Sequence, residues 1–207
     1  VSAPLMPAMP KVDLISFSAI ALALEQVLWG LFFGLILHFL FAVFTTLGQI
    51  VSMQMGLGMA IMNDPVNGLS VPILGRLFLI FCTLLFLSLE GHLIIIDVLV
   101  QSFVIWPVGS GLSALSLTNL VHLMTWMFAS SVALALPAII AMLLANISFG
   151  VMNRAAPALN VYALGFPMTM LLGLFSILIS ISGVPDKYAE LVNDTLRHLN
   201  QYLVGAL

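Results

Sequence analysis

Charged residues are the scarcest feature of this 207-residue chain, at 6% of the sequence. In soluble domains about a quarter of the residues are charged. So few charges cannot cover a surface that faces water, and 62% of the residues are hydrophobic. An ordinary soluble domain is therefore excluded, and the composition predicts an integral membrane protein or one sealed inside an assembly. Because the basic residues are scattered singly, there is no basic stripe, which excludes nucleic acid as a partner.

Catalytic and metal-binding patterns are also missing from the sequence. A lone cysteine, Cys82, forms no internal disulfide, and its apolar surroundings predict a small buried hydrophobe. The four histidines are too dispersed to indicate a metal site by spacing. Zinc-peptidase, serine-hydrolase and phosphate-loop motifs do not occur. We therefore predict no enzyme activity, no metal and no cofactor.

Prolines and glycines divide the chain into apolar stretches, which predict an all-α fold of hydrophobic helices. The opening, "VSAPLMPAMPKVD", is a Pro-rich entry without the features of a signal peptide. Because it starts at Val1, we expect that a natural N-terminal segment precedes it. The predicted segments are the entry at 1–13, apolar helices at 14–62 and 73–104 around a loop at 53–72, apolar helices at 120–151 and 161–184, and an amphipathic C-terminal helix at 185–207.

The stretch 14–62 leaves two interpretations open. It is long enough for two membrane spans, or for one very long helix followed by a bent one. Gly48 and the pair Gly56 and Gly58 are the natural bending points. At its end, "MQMGLGMAIMNDP" concentrates methionine and glycine, the most adaptable residues for an apolar place. Composition alone slightly favours an ordinary helix end that runs into a turn.

Isolated polar residues interrupt the apolar helices. Ionisable groups at membrane depth are costly and are candidates for function. Glu25 and Gln26 are interpreted as interfacial groups near a helix end, or as hydrogen-bonding groups toward another subunit. Glu90 and Asp97 are seven residues apart, which predicts one helical face with His92 pointing elsewhere. Packing against partner helices is favoured for them over a proton path.

Three stretches carry a family resemblance. They are "GQIVSMQMGLGMAIMNDP" from Gly48, "FLSLEGHLIIIDVLVQSF" from Phe86 and "NRAAPALNVYALGFPMTMLLG" from Asn153. In this order and spacing they resemble the FliR family of flagellar biosynthetic proteins. This family belongs to the export gate of bacterial type III secretion and has a counterpart in virulence injectisomes. The flanks match only in hydropathy.

The resemblance implies a single export-gate domain over 1–207, in the inner membrane at the flagellar basal body. It implies assembly with FliP and FliQ, in several copies each, and with FlhB, contact with membrane lipid, and export of unfolded flagellar proteins. It also implies that the loop 53–72 plugs the closed pore. A secondary transporter of a small solute, with Glu25, Glu90 and Asp97 as its binding site, is the alternative.

The resemblance and the isolated charges together define two sets of candidate residues. The pore plug or gate comprises Met53, Met55, Gly56, Gly58, Met59, Met62, Asn63, Asp64 and Pro65. The polar residues expected to pack against other subunits are Glu25, Gln26, Arg76, Glu90, His92, Asp97 and Arg154. For Asp64, three roles stay open, since it can cap the next helix, pair with Arg76 across the loop, or face the pore.

Overall fold

Helices make up the described part of the chain, without a strand in it, which confirms the predicted all-α fold. A computed structural model describes residues 16–57, 73–111, 117–155 and 161–204. A short 3₁₀ turn, Ile181–Gly183, joins the last two helices. The helices in chain order are α1 (Phe17–Gln54), α2 (Ile73–Ser88), α3 (Gly91–Ile105), α4 (Leu117–Ala155), α5 (Val161–Ser180) and α6 (Val184–Val204).

The first helix, α1, is a single continuous helix of 38 residues on which α2, α4, α5 and α6 all pack. Ser16 begins it, since its side-chain oxygen accepts a hydrogen bond from the backbone N–H of Ala19 at 3.2 Å. The buried residues recur every three or four positions, from Trp29 through Phe44 to Val51, and so lie along one stripe. Of the two interpretations left open for 14–62, the structure therefore contains the very long helix.

Gly48, one of the possible bending points, does not interrupt α1. It lies against α2 where the two backbones meet, and a Cβ there would lie 2.6 Å from the carbonyl oxygen of Leu74 and 2.7 Å from Gly75 N and Cα. Only glycine permits so close an approach. Around this crossing lies the main core, which includes Phe44, Leu47, Phe78 and Cys82. The burial of Cys82 agrees with its predicted role.

The predicted helix 73–104 is divided in two. Between α2 and α3 the chain turns by 70°, and Glu90 takes a left-handed conformation with φ 56°. Gly91 follows, and a Cβ at that position would collide with the ring of Phe86. The missing side chain at Gly91 therefore leaves room for this ring.

The remaining helices pack along one side of α1. In α6, Tyr188, Leu191 and Thr195 are buried at helical spacing, while Lys187 and Glu190 form an exposed ion pair at 2.6 Å. The predicted amphipathic tail thus packs its apolar face on the chain's own core, with the rings of Tyr188 and Phe44 5.9 Å apart. Within the described residues, three helices are long and apolar enough to cross a membrane, namely Phe17–Gln54, Thr118–Ala155 and Pro167–His198. Counting the bent pair α2 and α3 as one span gives up to four.

Candidate functional site

The end of α1 is where the candidate plug begins, and its geometry is a Schellman motif. The N–H of Leu57 donates to the carbonyl of Ser52 at 3.1 Å, and the N–H of Gly56 donates to the carbonyl of Met53 at 3.0 Å. Gly56 has φ 77°, a left-handed conformation that glycine adopts without a steric penalty. The "MQMGL" segment therefore stops the helix and turns the chain at Gly56.

Met55 is fully buried, so it anchors the base of the loop and does not contribute to an exposed tip. Its side chain lies directly on Gly173 of α5, where a Cβ would collide with both Met55 and Met142 of α4. Three helices thus meet at one sulfur-rich contact. Methionine suits this contact because its unbranched chain fills irregular space. Sequence reasoning placed Met55 in the plug and missed this packing role.

The other predicted plug residues are divided by their position. Met53 is 65% exposed and lies on the last turn of α1. Gly58, Met59, Met62, Asn63, Asp64 and Pro65 lie outside the described residues. The suggested contact between Asp64 and Arg76 lies outside them too. The structure therefore describes how the loop is anchored at its start, and the gating role stays a prediction.

Glu25 has its hydrogen-bonding partners inside the chain. One of its carboxylate oxygens, Oε1, accepts hydrogen bonds from the backbone N–H groups of Gly109 and Gly111, both at 3.2 Å. Both glycines have positive φ, and their two N–H groups, on either side of Ser110, point at one acceptor. The carboxylate thus fastens the segment after α3 onto the N-terminal half of α1.

A pair of tryptophans reinforces this attachment and was missed from sequence. Trp106, which ends α3, stacks on Trp29 of α1 with 4.4 Å between ring centroids. Gln26 lies beside them at a small cavity of about 100 Å³. From sequence alone, the place of Trp106 at the edge of an apolar block fits an interfacial aromatic residue. No local pattern indicates a partner 77 positions earlier in the chain.

The chain bends at Glu90, which is the N-cap of α3, while Asp97 lies within α3. Their sharing of one helical face stays a prediction. Glu90, His92 and Asp97 are all exposed, and Asp97 accepts a hydrogen bond from the side-chain amide of Gln101 at 2.8 Å. Arg76 and Arg154 are exposed as well. Among the described residues, both ion pairs lie on α6, so none of these groups has an ionic partner there.

The described residues do not bring the acids together into a binding site. Cavities of about 280 and 310 Å³ are lined mostly by apolar side chains, and neither Glu90 nor Asp97 lines them. Within the same part of the chain, no group of histidine, cysteine and acidic residues is placed to hold a metal. The polar groups are therefore dispersed over the outside of the helices.

Comparison with known proteins identifies the family. The family of bacterial export proteins, family 1, matches residues 1–195. The flagellar biosynthetic protein FliR of Escherichia coli (strain K12) is 38% identical over 173 residues, covering 83% of this chain and 66% of the relative. FliR of Pectobacterium carotovorum subsp. carotovorum is 31% identical, covering 91% and 72%. The surface presentation of antigens protein SpaR of Shigella flexneri is 29% identical, covering 79% and 63%.

These matches agree with the three stretches that carried the resemblance, because each lies within the matched residues 1–195. The chain spans about two thirds of the length of the E. coli relative. With a family match over most of the chain and relatives above 30% identity, the chain belongs to family 1 of the bacterial export proteins, the FliR family.

Proposed function

We propose that this chain is a subunit of the flagellar type III protein export gate, in the bacterial inner membrane at the flagellar basal body. Its relatives are named for flagellar biosynthesis and, in Shigella, for surface presentation of antigens. In this function it assembles with several copies of FliP and FliQ and with FlhB. The gate passes unfolded flagellar proteins across the membrane. The chain contributes structure and a seal, and no catalysis.

The observation that carries this proposal is the length of the apolar helices. With 38 and 39 residues, α1 and α4 are each about 57 Å long at 1.5 Å per residue. The hydrocarbon core of a bilayer is about 30 Å thick. Fitting 57 Å into 30 Å requires a tilt of about 58°, beyond the 0–40° that membrane helices adopt. Apolar surface therefore extends past the lipid, and other protein subunits have to cover it.

The exposed surface supports the same conclusion. In the most apolar windows of α1 and α4, 33% and 28% of the residues are buried inside the chain. Exposed apolar side chains such as Leu24, Leu144 and Phe175 occur on α1, α4 and α5. A transporter that works alone needs converging polar groups, and here Glu25 is bound to backbone amides while Glu90 and Asp97 face outward. The transporter alternative is therefore not favoured.

Co-expression tests the proposal. We expect the chain to aggregate or be degraded when it is produced alone, and to elute as a single large species from mild detergent when FliP, FliQ and FlhB are produced with it. Size-exclusion chromatography with mass measurement distinguishes the two states. A monodisperse, folded chain in the absence of those subunits, together with no association in their presence, would contradict the proposal.

The plug is a second part of the proposed function. The loop that starts after the Schellman motif at Gly56 is proposed to close the resting pore with its methionines and glycines, which adapt to variable shapes. Deleting residues 58–63 should leave assembly intact and make cells leak small ions. Replacing 58–63 by a glycine–serine segment of equal length separates loop length from side chains. An assembled deletion variant that stays tightly sealed would refute the plug.

A further inference from the structure

The outward face of α3 combines apolar side chains with one acid. Leu93, Asp97, Val100 and Val104 follow each other at spacings of four, three and four residues, which is the spacing at which helices pack side by side. Leu93 is 51% and Val104 63% exposed, and Val100 is half-buried. The buried residues of α3, Gly91 and Ser102, lie on its other side. We call Leu93, Asp97, Val100, Gln101 and Val104 the α3 face.

The carboxylate of Asp97 is incompletely satisfied on this face. It has two oxygens with about four acceptor positions, and in the described part of the chain it receives one hydrogen bond, from Gln101 at 2.8 Å. The described basic side chains on α6 pair with that helix's own acids. A charge surrounded by apolar side chains is costly unless a partner charge or several donors compensate it.

The neighbours of Asp97 decide what covers the α3 face. Lipid chains offer no donor to a carboxylate, and water is a poor match for a face on which Leu93 and Val104 are more than half exposed. The exposed apolar positions 17, 20, 24, 27 and 31 on α1 recur at similar spacing but contain no charge, so they do not distinguish lipid from a protein partner. Because the carboxylate of Asp97 needs a hydrogen-bond donor or a cation, a protein partner is favoured over lipid at the α3 face.

Resting on the function proposed above, we infer that the α3 face is a subunit interface, occupied by an apolar helix of another gate subunit that places a lysine or arginine against Asp97. Gln101 orients the carboxylate from one side and leaves the other oxygen for the incoming cation. The surrounding leucine and valines exclude water from the pair. One acid in an apolar seam fixes the register of the two helices, because sliding by one turn leaves both charges unpaired.

Charge reversal tests the inference in the co-expressed complex. We expect Asp97→Lys to lower the yield of assembled complex about tenfold and Asp97→Asn, which keeps the hydrogen bond, about threefold. Asp186→Lys makes the same reversal on the exposed polar surface of α6 and should stay within about twofold of wild type. If Asp97→Lys assembles with the yield of the wild type, the inference is overturned and the proposed function is not. Failure of the unaltered chain to assemble overturns the proposed function as well.

Cross-linking on the otherwise unaltered complex identifies the occupant without a charge change. A photo-reactive residue at position 93 or 104 should cross-link to one partner helix, with a lysine or arginine within one turn of the linked residue. Reversing that residue to aspartate should restore Asp97→Lys assembly to within about threefold of wild type. Cross-links to lipid, to a helix without a basic residue, or to nothing, and absence of rescue, each overturn the inference.

Discussion

Replacing Gly48 by alanine is expected to force α1 and α2 apart. The new Cβ would lie 2.6 Å from the carbonyl oxygen of Leu74, whereas ordinary contact begins at 3.4 Å, so the helices must separate by 3.4 − 2.6 = 0.8 Å. The obstructing atoms belong to backbone and have no rotamer to change. Overpacking of this kind costs about 1–3 kcal/mol, and a gap of this size also weakens the contacts around the crossing.

The net loss of stability follows from two opposing contributions. Overpacking is taken to lower the stability by about 3 kcal/mol, and alanine in a helix is more stable than glycine by up to about 1 kcal/mol. A net loss of about 2 kcal/mol corresponds to a melting temperature lower by about 4–8 °C for a chain of this size. The assay heats the purified complex in mild detergent and measures the fraction that stays monodisperse.

Two matched controls make this prediction specific. Gly30→Ala and Gly150→Ala place the same methyl group on α1 and α4, where nothing lies within 4 Å. Both should leave the melting temperature unchanged or raise it slightly. Equal melting temperatures for Gly48→Ala and the controls would refute the close backbone crossing.

Substitutions at Gly56, Met55, Gly173 and Glu25 test the anchoring contacts by the same melting assay, with amide exchange as a second measurement for Glu25. Gly56→Ala should cost about 1 kcal/mol, because the turn needs a left-handed residue, and Gly56→Asn should cost less. Met55→Ala should cost about 3 kcal/mol. Gly173→Ala should cost less in the Met55→Ala background than alone, because only the contact with Met142 then remains; additive losses would contradict the contact with Met55. Glu25→Ala should lower the stability by about 1 kcal/mol and speed amide exchange at residues 109 and 111. Glu25→Gln keeps an acceptor oxygen and should retain most of the protection from exchange. Unchanged exchange in Glu25→Ala would contradict this attachment.

Features governed by local composition could be predicted from the sequence. The all-α class and the amphipathic α6 follow from hydrophobic content and spacing, which do not depend on distant contacts. The turn at Gly56 follows in the same way, because a Schellman motif is formed by neighbouring residues. The family could be recognised because three motifs recur in a fixed order.

Features governed by long-range packing could not be predicted. Gly48 reads as a flexible point until Gly75 is known to lie against it. The apolar run 73–104 reads as one helix until the chain is seen to bend at Glu90, where the ring of Phe86 lies against Gly91. Met55 reads as part of an adaptable methionine-rich and glycine-rich run until its side chain is seen to pack on Gly173. In each case the contact depends on a glycine, whose missing side chain leaves room for a neighbour that the sequence does not identify.

The central position of α1 has a consequence for synthesis of the chain. Phe44 packs against Tyr188, which leaves the ribosome 144 residues later. At about 5–20 residues per second, the stripe on α1 waits roughly 7–30 s for its last covering helix. During this time the part of the stripe on α1 that α6 covers is open to wrong partners. Substitutions that weaken the packing of α6 should therefore leave α1 uncovered in the newly made chain. The expected effect is a lower amount of the protein through premature degradation, before the assembled protein is affected.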